Sequence, residues 1–137
     1  MTKEIHKILG TKKSKTRLSL IDLSRTGISM KILSNILAYT SLNMKEVAGI
    51  LPISERQLVR YEKSHVLKKE ISSHLIQVVE LYARGYDVFE DKGNFDTWMR
   101  RPNKALNKHM PLALLDTSLG IQMVADILGR IEHGVYS

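Results

Sequence analysis

Residues 43–60 read Asn43-Met44-Lys45-Glu46-Val47-Ala48-Gly49-Ile50-Leu51-Pro52-Ile53-Ser54-Glu55-Arg56-Gln57-Leu58-Val59-Arg60. Asn43 is a good helix N-cap with Glu46 three residues later, and Ser54 is another with Gln57 three residues later. In such a box the cap side chain accepts the N–H three residues on, and that residue's side chain reaches back to the cap N–H. Ser54-Glu55-Arg56-Gln57 matches the pattern well, and Asn43-Met44-Lys45-Glu46 is a looser version. Val47, Ala48, Ile50 and Leu51 can face a core, and Pro52 has no N–H with which to continue the first helix. The stretch predicts a helix of about eight residues, a turn of about three, and a second helix from Glu55 to about Lys63. That is the spacing of a DNA-binding helix-turn-helix.

In that motif the first turns of the second helix meet base edges in the major groove. Here they offer Ser54, Glu55, Arg56, Gln57 and Arg60. Arginine can bond guanine twice, glutamine can bond adenine twice, and Ser54 can reach a phosphate while capping its helix. Leu58, Val59 and Tyr61 would hold the helix against its neighbours. Glu46, Glu55 and Glu62 oppose the approach of phosphate, and helical pairs of this size also occur purely as packing.

The charge distribution favours a phosphate partner. The 137-residue chain carries a net +7. Residues 1–87 hold 15 Lys/Arg and 8 Asp/Glu, whereas residues 88–137 hold six of each, so all the excess lies upstream. One-sided charge suits a nucleic-acid backbone, although it also simply keeps a surface solvated. Lys3, Lys7, Lys12, Lys13, Lys15 and Arg17 face a single acid, Glu4, in the first segment. With no sustained apolar period, this segment reads as a mobile basic arm, either a tether for phosphates through Lys12 and Lys13 or a frayed terminus.

Outward from the motif, helical apolar spacing recurs and strand-like alternation does not. Leu18, Leu20, Ile21 and Leu23 form a short patch. Ile28, Ile32, Leu33, Ile36 and Leu37 form a stripe. Ile71, Leu75, Val78, Val79 and Tyr82 form another, with a stop expected at Arg84-Gly85. Val88-Phe89, then Phe95, Trp98 and Met99, mark shorter helices, the latter ended by Pro102. Leu112, Leu114 and Leu115 add a turn or two after Pro111. In the last helix Leu119, Met123, Ile127 and Ile131 share a stripe flanked by Val124 and Leu128, with Gly134 placed as a C-cap glycine. Phe95, Trp98, Leu119, Met123 and Ile127 are expected in the core. The fold class is therefore all-α.

The downstream blocks carry a resemblance. They are Val88-Phe89-Glu90-Asp91, Trp98-Met99-Arg100-Arg101-Pro102-Asn103-Lys104-Ala105-Leu106, Pro111-Leu112-Ala113-Leu114-Leu115-Asp116-Thr117, Gly120-Ile121-Gln122-Met123-Val124, and Leu128 to Tyr136. Together they resemble the toxin-binding domain of the Xre/MbcA/ParS antitoxin family. Upstream, Ile53 to Arg60 is similar to that family's helix-turn-helix, with Gln57 where a threonine is usual. The resemblance spans about residues 25–137. It implies a basic arm and lead-in over residues 1–24, an Xre-like helix-turn-helix domain over 25–86, and a small helical toxin-binding domain over 87–137.

The resemblance further implies an antitoxin of a type II toxin–antitoxin pair. It would bind and block a cognate toxin, often a RES-type enzyme that degrades NAD or a relative that transfers ADP-ribose. It would also bind operator DNA and repress its own operon. In such pairs the antitoxin's C-terminal end lies at or near the opening of the toxin's active site. By that analogy Arg130, Glu132, His133, Val135, Tyr136 and Ser137 are the expected toxin contacts. The rival reading is a stand-alone regulator whose C-terminal helices only dimerise.

Nothing in the residues points to catalysis. The histidines, His6, His65, His74, His109 and His133, form no close pair, and cysteine is absent. There is no glycine-rich phosphate loop and no nucleophile elbow. We expect no enzyme activity, no cofactor, no metal, no membrane span and no small-molecule substrate. The expected setting is the cytoplasm and the expected assembly a homodimer, since such motifs commonly read two half-sites.

Overall fold

The computed structural model describes residues 4–11 and 16–134, and they are helical without a named strand. The helices are α1 (Glu4–Leu9), α2 (Arg17–Thr26), α3 (Met30–Thr40), α4 (Met44–Ile50), α5 (Glu55–Arg60), α6 (Lys69–Phe89), α7 (Lys92–Met99) and α8 (Ser118–Glu132). Two 3-10 turns, Lys104–Leu106 and Pro111–Leu114, join α7 to α8. Among the described residues no helix is long and apolar enough to cross a membrane.

Helix α6 is the centre of the fold, with α1, α2, α7 and α8 packed on it. It buries Leu75, Val78, Val79, Tyr82 and Tyr86 along one side and Ile71, Ile76 and Leu81 beside them. The expected stop at Arg84-Gly85 is not there, and the helix runs on through Val88-Phe89 to Glu90. Gly85 serves close packing instead. A Cβ at that position would overlap the Phe95 ring of α7. Because α6 passes unbroken through residues 86 and 87, the helix-turn-helix segment and the segment after it share one continuous core.

Part of the N-terminal segment differs from the expectation of a mobile basic arm. Residues 4–9 form α1, which buries Ile5, Ile8 and Leu9 against α3 and α6. The Tyr39 hydroxyl donates to Glu4 at 2.6 Å, and the Asn35 amide donates to the Leu9 carbonyl at 3.2 Å. Three apolar residues at i, i+3 and i+4 make a stripe too short to stand out among lysines. Lys12 and Lys13 lie outside the described residues.

Gly27, at φ 98°, closes α2 and passes so near Val66 and the Leu67 carbonyl that no side chain fits. Ile28 follows outside any helix rather than opening α3. Its N–H donates to the buried Ser72 hydroxyl at 2.9 Å, and its carbonyl accepts the Leu67 N–H at 2.8 Å. A Ser29–Val66 bridge completes the clasp, which ties the entry of α6 to the entry of α3.

The buried face of the last helix keeps Ile127 and its flank Val124 and Leu128 from the expected stripe, but is rotated away from the stripe's start. Ile121, Val124, Ile127 and Leu128 are buried, each contributing about 1.5–3 kcal/mol. Leu119 and Met123, expected in the core, are exposed. Trp98 is half-buried, in contact with Phe89 and Phe95.

Candidate nucleic-acid and partner-binding surfaces

Helices α4 and α5 form the expected pair, except that α5 stops at Arg60 rather than near Lys63, and the two caps are reversed in completeness. Asn43 accepts the Glu46 N–H at 2.7 Å, and the Glu46 carboxylate accepts the Asn43 N–H at 3.1 Å. This reciprocal box is the one that looked looser. Ser54 accepts the Gln57 N–H at 3.1 Å, but the Gln57 amide donates away from the cap, to the Tyr61 hydroxyl at 3.0 Å.

On α5 only Leu58 is buried. Ser54, Glu55, Arg56, Gln57 and Arg60 are all exposed, so the structure brings these candidates onto one short helix. Arg56 and Arg60 stand one turn apart, opposite Leu58. Val59 does not hold the helix to its neighbours as expected, being 64 % exposed on the flank of the arginine pair. Tyr61 is half-buried and stacks on His65, ring centroids 3.6 Å apart.

Glu46, one of the acids that weighed against phosphate in the sequence, is held in an ion pair. The Arg100 guanidinium at the end of α7 donates to both its carboxylate oxygens, at 2.9 and 3.0 Å. The same guanidinium donates to the Ser41 and Asp96 carbonyls, at 3.1 and 3.3 Å. Burial disfavours the Glu46 charge, but the bonds from Arg100 and the Asn43 N–H outweigh it and hold the carboxyl below its usual range. The acid nearest the start of α4 is thereby neutralised from the downstream segment.

At the other end of the chain Arg130, Glu132 and His133 are exposed in the last turn of α8 and its cap. Glu132 pairs with Arg84 of α6 at 3.5 Å. Val135, Tyr136 and Ser137 lie outside the described residues. Between α1, α2, α6 and α8 runs an open groove of about 810 Å³, lined by Arg17, Glu80, Arg84, Asp87 and Glu132 among others. Its cations are paired within it, Arg17 with Glu80 at 3.2 Å and Arg84 with Glu132. Among the described residues no cluster of histidines and carboxylates could hold a metal ion.

Residues 84–134 match the antitoxin Xre/MbcA/ParS C-terminal toxin-binding domain. An antitoxin Xre of Yersinia enterocolitica is 33 % identical over 121 residues, which cover 86 % of this chain and 81 % of that protein. The chain belongs to the Xre/MbcA/ParS antitoxin family. An antitoxin Xre of Photorhabdus laumondii is 36 % identical over 67 residues, 48 % of this chain and 45 % of that one. The fold is similar to a chain in the crystal structure of the M. tuberculosis MbcT–MbcA toxin–antitoxin complex. The TM-score is 0.59 at 18 % identity, with 90 % of this chain and 99 % of that chain covered.

Two features of this family member escaped the sequence reading. The Arg100–Glu46 pair joins residues 54 positions apart, and helical spacing carries no signal for such a pair. The exposure of Val59, Leu119 and Met123 was hidden because an apolar residue in a helix is read as core by default.

Proposed function

We propose that this chain is the antitoxin of a type II toxin–antitoxin pair. It binds and neutralises a cognate toxin through the segment after residue 84, and binds operator DNA through α4 and α5 to repress its own operon. The toxin-binding part is supported by membership of the family and by the match of residues 84–134. The resemblance of the sequence blocks supports a RES-type, NAD-degrading toxin. The last turn of α8, with Arg130, Glu132 and His133, is proposed to reach the toxin together with Val135, Tyr136 and Ser137.

The observation that carries the DNA-binding part is the outward face of α5. Arg56, Gln57 and Arg60 are exposed on it, and Arg100 holds the neighbouring acid Glu46 in an ion pair. The excess charge of residues 1–87 would raise the local concentration of DNA. A homodimer, reading two half-sites, fits a helix this short.

The test has two arms. Co-expression with the product of the neighbouring gene should rescue growth, and the two proteins should co-purify. A fragment of the operon's own promoter should bind the chain with an affinity that falls steeply with salt, and light scattering should give a dimer. Growth rescue without promoter binding would leave an antitoxin with no repressor role. Promoter binding with no rescue would favour a stand-alone regulator.

A further inference from the structure

Exposure along α8 is uneven in a way the core does not require. Leu119 is 74 % exposed and Met123 45 % exposed. They stand one turn apart and share a face, and Asp126 and Arg130 continue the same line at three- and four-residue steps. The opposite face carries the buried Val124 and Leu128.

The first turn of α8 cannot roll to hide Leu119. Thr117 caps it by accepting the Gly120 N–H at 3.0 Å. Gly120 itself rests so closely on the Leu114 carbonyl that a Cβ there would overlap it. Leu119 is therefore held outward by a locked turn. Within residues 84–134 the exposed large apolar side chains among the described residues are Leu119, Met123 and Met110, and Met110 opens the 3-10 turn on which α8 packs. The apolar exposure of this segment is thus local. A rigid helix that presents apolar side chains has little backbone freedom left to lose on binding, which lowers the cost of docking.

We propose that Leu119 and Met123 form the apolar anchor by which α8 docks on the toxin, with Asp126 and Arg130 at its charged rim. This rests on the toxin-binding reading above and extends the contact from the end of α8 to its whole outer face. The partner surface would offer an apolar cleft flanked by groups complementary to Asp126 and Arg130. The patch lies inside the segment matched to a toxin-binding domain and runs in line to Arg130, itself a candidate contact. Both points favour the toxin over a second copy of this chain.

The experiment measures affinity between the full chain and the tagged product of the neighbouring gene. Leu119→Asp with Met123→Asp should weaken binding by roughly 100-fold or more, and Leu119→Ala with Met123→Ala should weaken it in the same direction. Both residues are exposed, so the thermal midpoint and promoter affinity should hold. Unchanged toxin affinity in both double variants, while the unaltered chain binds, overturns the patch and leaves the toxin-binding reading standing. Lost self-association with unchanged toxin affinity assigns the patch to a second copy and also overturns it. If the unaltered chain fails to bind, the toxin-binding reading falls and this inference with it.

Discussion

Arg100 grips Glu46 with two hydrogen bonds, while Glu46 still accepts the Asn43 N–H that completes the cap of α4. One carboxylate thus serves both a helix start and a bridge from α7. Arg100→Ala should cost about 2 kcal/mol, because a partly buried, forked, charge-assisted pair is lost and Glu46 stays behind. Arg100→Lys should recover less than half of that, since an ammonium cannot match the planar fork. Urea unfolding of the three proteins gives the comparison.

The same pair sets an acid limit. The Glu46 carboxyl is held below its ordinary value of 4.5, so its stabilisation is present above that pH. It is lost as pH falls below 4.5 toward the lowered folded value, because the unfolded chain takes up the proton first. Between about pH 6 and about pH 3 the unaltered chain should therefore lose more stability than Glu46→Gln does. Equal slopes for the two would show that the pair contributes nothing to folding.

Two glycines in helices should respond oppositely to alanine. At Gly85 the new methyl would drive into the Phe95 ring, and a loss of more than about 2 kcal/mol is expected despite alanine's better helix propensity. At Gly49, exposed on α4 with open space around it, alanine should add about 0.5–1 kcal/mol. Thermal midpoints of the two single variants decide the matter.

The Tyr82 hydroxyl is buried without a hydrogen-bond partner among the described residues, and burial pushes its ionisation well above the usual tyrosine range. Tyr82→Phe removes a polar atom that nothing satisfies while keeping the ring edge-on to Phe95 and Tyr86. Stability should stay level or rise by about 1 kcal/mol. A loss of that size would mean that the hydroxyl has a partner, such as a buried water.

On α5, Arg56→Ala and Arg60→Ala should each cost about 1–3 kcal/mol of promoter binding if they meet base edges. Val59→Ala should weaken promoter binding with little change in the thermal midpoint, since the side chain is exposed. A stability loss with unchanged binding would return Val59 to a packing role.

The sequence made some elements plain and hid others for identifiable reasons. Asn43 and Ser54 announced α4 and α5 because capping is local chemistry. Gly85 misled because a glycine in a helical pattern reads as a stop, while its real partner, Phe95, lies across a turn. Leu119 and Met123 share a stripe with Ile127 at ideal spacing. The register that buries Ile121 and Val124 is fixed by Gly120 lodging against Leu114, a tertiary fact. The face of α5 was legible residue by residue except for Val59. The bridge from Arg100 was not legible at all.

Helix α6 has a last consequence. It packs directly on α8, while α4 and α5 join the same unbroken core, α4 through the 3-10 turn Pro111–Leu114 on which α8 also packs. A cut or melt anywhere along it removes the support of both ends together. No fragment should survive that keeps one candidate surface and has lost the other, so the two proposed activities should share a single lifetime.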